Sequence, residues 1–143
     1  MKTANECIDQ IIKIGSNIEH SKTTLSNHLL GVYSLLLQAK APTYLCLAGL
    51  FHSVYGTEYF DSESIMTRQE VKNYIGKEAE ELVFLFCHLR ERDNTILKSE
   101  NKDLVFLGLM NLLETYAANK DNQNAIDMMT KFQQKYEELI SET

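Results

Sequence analysis

The chain has 143 residues, a length that suits one globular domain with its own hydrophobic core. Its 14 Lys and Arg against 20 Asp and Glu give a formal net charge of −6, which excludes the basic footprint of a nucleic-acid-binding protein. No apolar run approaches the roughly 20 residues that a membrane span needs, and the N-terminal segment has no apolar signal region. We therefore expect a cytoplasmic protein that binds neither nucleic acid nor membrane, and of its three cysteines we expect Cys46 and Cys87 to be small buried side chains.

Apolar residues recur at helical spacing along most of the chain, and no segment shows sustained period-2 alternation. The second predicted helix begins at a cap, which is Thr23, Thr24 or Ser26, and ends at about residue 39. The third runs from Pro42 to about residue 54. The other predicted helices cover about 4–18, 67–74, 77–90, 103–118 and 125–140. The pattern predicts an all-α fold, a single domain over residues 1–143 with about six or seven helices and no sheet.

Caps and breaks refine these boundaries. Thr67, with Glu70 three residues later, has the pattern of a capping box. Gly56 and Gly76 are expected to end helices. The polar stretch 93–102 is expected to be a loop.

Three of the four histidines lie in or beside the two most apolar predicted helices. His28 falls within LSNHLLGVYSLLL, His52 within AGLFHSVYGTE, and His20 precedes the second helix. A histidine in an apolar helix needs a partner for at least one ring nitrogen. Neutral imidazole is also a common metal ligand and a general base near neutral pH. The residues alone leave both interpretations open, a satisfied core pair or a functional site.

The segment 48–81 carries a family resemblance. It reads AGLFHSVYGTEYFDSESIMTRQEVKNYIGKEAEE and is similar to the hydrolase domain of the stringent-response guanosine tetraphosphate hydrolases, in the HD-domain superfamily. In that family a buried helix ends in a His-Asp pair followed by Glu-Asp-Thr, and a later helix carries Ala-Asp-Arg-Leu. The resemblance covers roughly residues 20–116, and the wording AGLFHSVYGTE also resembles a group of small HD-like proteins.

The resemblance implies an HD-like helical fold and a metal site formed by His28, His52 and Asn111. This sequence departs from the family pattern at the acidic positions. Ser53 stands where the family has its metal-bound Asp, Gly56 and Thr57 stand where it has Glu-Asp, and Asn111 stands where it has the last Asp ligand. Neutral side chains hold a divalent cation weakly. We therefore expect iron, manganese or zinc to bind less tightly here than in the family, or not at all.

Other polar residues complete the candidate site. Glu114 lies one turn after Asn111 on the same helical face and is a candidate ligand or general base. Tyr55, three residues after His52, is a candidate proton donor or a core aromatic residue. The predicted catalytic residues are His28, His52, Tyr55 and Glu114, and the predicted substrate-binding residues are His20, Ser53, Thr57, Glu58 and Arg68, the last as a clamp for an anionic group.

Three functions are compatible with these residues. The first is a small HD-like enzyme with a histidine-lined pocket that acts on a small polar or phosphorylated molecule, as a metal-dependent hydrolase or a non-haem iron oxygenase. The second is metal-free acid–base chemistry or ligand binding in the same pocket. The third is a non-catalytic interaction module, for which the amphipathic helix 125–140 is a candidate homodimer surface; the alternative is that this helix caps the core.

Overall fold

The computed structural model describes residues 1–20, 23–57, 65–117 and 122–142. Within them lie seven helices and one two-stranded sheet, which confirms the all-α prediction. In chain order the elements are α1 (Ala4–Gly15), β1 (Glu19–His20), β2 (Thr23–Thr24), α2 (Leu25–Gln38), α3 (Thr43–Phe51), α4 (Arg68–His88), α5 (Arg92–Leu97), α6 (Lys102–Tyr116) and α7 (Gln123–Ser141).

Contacts divide the chain into two compact units, Met1–Leu89 and Arg90–Thr143. The first contains α1 to α4 with the β hairpin, and the second contains α5 to α7. A single HD-like domain over residues 1–143 stays a prediction.

The short sheet corrects the expectation of no sheet. β1 and β2 pair antiparallel, with Glu19 opposite Thr24 and His20 opposite Thr23. Each strand has only two residues, which is too short to produce an alternating pattern in the sequence. Thr24 then caps α2 by accepting a hydrogen bond from the backbone N–H of Asn27, as one of the predicted caps.

Helices α2 and α3 pack closely in the first unit. His28, Val32 and Leu36 are spaced by four residues and share one buried face of α2. A Cβ atom at Gly49 of α3 would overlap the Leu36 side chain and lie 3.3 Å from Cγ1 of Val32. Glycine at this position therefore permits the close approach of α3 to the face of α2 that carries His28.

Helix α3 ends earlier than predicted, at Phe51 instead of about residue 54. The backbone N–H groups of His52, Val54 and Gly56 bond to carbonyls three residues back, so the chain continues as tight turns. Gly56 has φ 82°, a left-handed conformation that glycine adopts without strain. These turns place His52 at the C-terminal cap of α3.

Helix α4 consists of two helical stretches on either side of a non-helical Gly76, as the sequence predicted. The predicted capping box is confirmed, because Thr67 and Glu70 exchange side-chain and backbone hydrogen bonds. Gly76 keeps a non-helical conformation within α4, with φ 85° and ψ 167°. Essentially only glycine adopts this region, so the predicted break appears as a kink.

The second unit contains a helix that the sequence pattern did not indicate. Residues Arg92–Leu97 form α5 within the stretch expected to be a loop. Six residues are too short to show a helical apolar period. Gly108 of α6 lies against Phe132 of α7, and both α6 and α7 begin at Asn caps.

In the described part of the chain, no helix has the length and apolar character needed to cross a membrane.

Candidate functional site

Two buried imidazole rings meet in the first unit. The Nε2 atoms of His28 and His52 lie 3.2 Å apart, and the two residues are 2% and 1% exposed. His28 comes from α2 and His52 from the turn after α3, so the close packing of these helices brings the rings together. The pair that the sequence singled out is therefore a contact in space.

Hydrogen bonding assigns the protons of this pair. Nδ1 of His52 lies 2.7 Å from the carbonyl oxygen of Gly49, so Nδ1 must carry a proton and donate it. In a neutral ring this leaves Nε2 of His52 as an acceptor. The Nε2–H of His28 then donates across the 3.2 Å contact. Neutral His28 and His52 together hold one proton between their Nε2 atoms.

His20 adds a third imidazole to the group. Its ring stacks on His28, with the ring centroids 4.1 Å apart and the planes 11° from parallel. His20 is half-buried at the end of β1, so the small unpredicted hairpin supplies it. The first unit therefore gathers three histidines from three different elements.

Helix α4 supports His52 from another side. The ring of Phe86 meets the His52 ring edge-on, with a centroid distance of 5.2 Å. The thiol of Cys87 donates to the backbone carbonyl of His52 at 2.9 Å. Neither residue was predicted as part of the site, because buried Phe and Cys in an apolar run are typical of any core.

Residues next to His52 have distinct surroundings. Ser53 is buried, and its Oγ has no hydrogen-bond partner among residues 1–20, 23–57, 65–117 and 122–142. Thr57 is half-buried at the end of a described segment. Glu58, predicted to bind substrate, lies outside the described residues. A buried hydroxyl without a partner costs free energy, about 1–3 kcal/mol, which a bound polar molecule would relieve.

Tyr55 and Arg68 contact a buried carboxylate. Glu80 is 0% exposed and binds the Nε of Arg68 at 3.0 and 3.2 Å and its Nη2 at 2.8 Å. The Tyr55 hydroxyl donates to Oε2 of Glu80 at 3.3 Å. Burial and the Glu80 charge raise the pKa of Tyr55, and the hydrogen bond to Glu80 raises the pKa of Arg68. The Tyr55 proton is thus directed at Glu80.

Asn111 and Glu114 belong to the second unit. Asn111 is buried and Glu114 is half-buried, both on α6. Their roles as metal ligand and general base stay predictions.

The donor set in the first unit fits a metal ion only in part. Two nitrogens bound to one tetrahedral ion at 2.0–2.1 Å would lie about 3.3 Å apart, close to the separation of the two Nε2 atoms. A histidine that ligates a metal usually donates its other ring N–H to a carboxylate, a backbone carbonyl or water, and Nδ1 of His52 donates to the carbonyl of Gly49. Among the described residues, however, no three His, Cys, Asp or Glu side chains form a group able to hold a metal.

Two of the buried cysteines have thiols with a raised pKa. Burial raises the pKa of Cys7 to about 11 and also raises the pKa of Cys46, so both thiols stay protonated at neutral pH. Cys46 and Cys87, the two cysteines predicted to be small buried side chains, are both buried.

Glu80 is the polar residue that the sequence interpretation missed. It sits in the run KEAEE, which is typical of a solvated helix face. Its spacing to Val83, Phe84 and Cys87 is three, four and seven residues, so it shares a face with apolar side chains. That spacing was the available signal for a buried charge.

The fold and the histidine group define an all-α protein with a buried imidazole site. The model of a family described as a domain of unknown function, DUF6817, matches residues 12–91, and the chain belongs to that family. The match includes His20, His28, His52 and Glu80. Comparison with curated proteins and with solved structures finds no match.

Proposed function

We propose that this chain is a small HD-like enzyme whose reactive group is the His28–His52 pair, acting on a small polar or phosphorylated molecule. The observation that carries the proposal is the 3.2 Å contact between two buried Nε2 atoms. Each buried imidazole requires a polar partner, and across this contact each ring is the partner of the other.

The pair offers both a proton donor and a proton acceptor across its Nε2 contact. An imidazole is a general base in its neutral form and a general acid in its protonated form. Because Gly49 holds His52 in the Nδ1–H tautomer, the Nε2 of His52 can accept the Nε2 proton of His28 when His28 takes up another proton at its Nδ1. The buried Ser53 hydroxyl beside His52 supports a polar ligand, because such a molecule would satisfy it.

Turnover of phosphoester probes tests this proposal. Wild-type protein is assayed with p-nitrophenyl phosphate and bis(p-nitrophenyl) phosphate, beside His28→Gln and His52→Gln. A Gln amide keeps a polar group near Nε2 but exchanges no proton at neutral pH. We expect each substitution to lower turnover by about 10²–10⁴-fold, the usual contribution of general acid–base catalysis.

His88→Gln is the matched control. His88 is an exposed histidine of α4 whose Nδ1 lies 2.8 Å from the carbonyl oxygen of Phe84. Its substitution should leave turnover unchanged. Equal turnover in all four proteins would contradict the role of the pair. No turnover in the wild type would contradict the enzyme proposal and favour the alternative, a non-catalytic ligand-binding or interaction module.

A divalent metal at the same pair is the second candidate, favoured by the spacing of the Nε2 atoms. To ligate through Nε2, neutral His28 would move its proton to Nδ1, whereas His52 already has that tautomer. The donor set in the described residues is incomplete, and no catalytic step is assigned to a metal.

Elemental analysis decides between the two candidates. Protein purified without a histidine tag is measured before and after loading with Fe²⁺, Mn²⁺ or Zn²⁺. The metal candidate predicts near-stoichiometric ion in the wild type and in His88→Gln, and its loss in His28→Gln and in His52→Gln. Wild-type protein that retains no ion after loading would contradict this candidate and leave the metal-free chemistry.

A further inference from the structure

One face of α4 supports the turn that carries His52. Glu80, Phe84 and Cys87 follow each other at intervals of four and three residues, so their side chains leave the helix on the same side. The Cys87 thiol holds the carbonyl of His52, and the Glu80 carboxylate holds the hydroxyl of Tyr55. Both ends of the turn 52–55 are therefore bound to α4.

Of the two contacts between α4 and the turn 52–55, the one made by Glu80 is the more constrained. Glu80 is 0% exposed and carries a charge that Arg68 neutralises through three short contacts. The Arg68 guanidinium is itself held, with its carbon 3.7 Å from the centroid of the Phe84 ring. The Glu80 carboxylate is therefore a hydrogen-bond acceptor with a fixed position for the Tyr55 hydroxyl.

The turn 52–55 links the position of Tyr55 to the position of His52. Successive backbone bonds from His52 to Gly49, Val54 to Phe51 and Gly56 to Ser53 leave the segment little freedom to bend between Tyr55 and His52. The neighbouring contact between Nε2 atoms is 3.2 Å, and hydrogen bonds weaken steeply when distance or angle changes. A shift of Tyr55 is therefore expected to reach this contact.

We infer that Glu80 is a positioning residue of the histidine site: by holding Tyr55 and Arg68 it fixes the turn that places His52 against His28. The inference rests on the proposed function of the pair, for which it names the supporting residue. Glu80 itself takes no part in proton transfer. In this arrangement Tyr55 is a support for His52.

Imidazole NMR tests the inference without a substrate. In ¹⁵N-labelled protein, the Nε2–H proton of His28 should give a resonance that exchanges slowly with water, because both rings are buried. Glu80→Gln keeps the side-chain length and removes the charge. We expect the slowly exchanging resonance to be lost in this variant while the helical circular dichroism is retained.

Two further variants make the result specific. Tyr55→Phe removes only the hydroxyl that contacts Glu80 and should also lose the resonance. Glu81→Gln makes the same charge change one residue along α4, at a side chain that is 58% exposed, and should keep it. If Glu80→Gln does not fold, Tyr55→Phe decides the question.

The outcomes separate the two proposals. The positioning role alone would be overturned if the wild type shows the resonance and a folded Tyr55→Phe or Glu80→Gln protein keeps it. Loss of the resonance in Glu81→Gln as well would overturn it too, because the effect would follow charge on α4 in general. A wild type without the resonance would overturn the imidazole pair, and the proposed function with it.

Discussion

Replacing Arg68 by Met is expected to lower the free energy of unfolding by about 3 kcal/mol, the lower end of the range for breaking a buried ion pair. The reason is that Glu80 is 0% exposed and would lose the guanidinium that neutralises its carboxylate. The Arg68 side chain is 44% exposed, so water reaches this edge of the pair and limits the loss. Met keeps an apolar side chain of similar length but removes the guanidinium that lies over the Phe84 ring. Urea denaturation followed by circular dichroism measures the change.

A double variant distinguishes lost charge compensation from lost packing. Arg68→Met combined with Glu80→Leu removes both charges, and it should regain most of the stability lost in Arg68→Met. Lys77→Met is the control, because its pair with Glu81 is exposed and 3.9 Å long and should contribute less than about 1 kcal/mol. If the double variant is no more stable than Arg68→Met, the unpaired Glu80 charge is not the cause.

Replacing Phe132 by Ala is expected to cost about 3–5 kcal/mol within the second unit. Phe132 is 0% exposed, and its ring packs where Gly108 of α6 has no side chain. Ala would leave a cavity between α6 and α7, the two helices that form the core of this unit. Thermal unfolding and amide hydrogen exchange along α6 measure the effect on the helix that carries Asn111.

Ile126→Ala provides the comparison on the same helix. Ile126 is 36% exposed, so its truncation leaves little cavity and should cost less than about 1 kcal/mol. An effect of Phe132→Ala no larger than that of Ile126→Ala would contradict a close-packed core at Gly108.

Much of the local structure is predictable from short stretches of sequence. The caps at Thr24 and Thr67 act through bonds to residues three positions away, so neighbouring residues are enough to identify them. Apolar spacing likewise located α2, α6 and α7 within a few residues of their observed ends. The same method missed α5 and the β hairpin, which are too short to show a period.

The candidate site is only partly contained in such local patterns. An unusual pair of histidines in apolar helices indicated His28 and His52, yet their contact depends on Gly49, which lets α3 approach α2. His20 joins them through a hairpin that the pattern did not predict.

The spacing of Glu80 to apolar residues indicated the helix face on which it lies, but tertiary structure decided its burial and its partners. Glu78 and Glu81 beside it are charged, and the fold brings Arg68 and Tyr55 to its carboxylate. Hydrogen bonds at a cap are short-range in sequence, whereas the desolvation of a charge depends on every segment that excludes water from it. For this protein, therefore, sequence determined the helices and their caps, and packing between distant segments decided which polar side chains form the buried site.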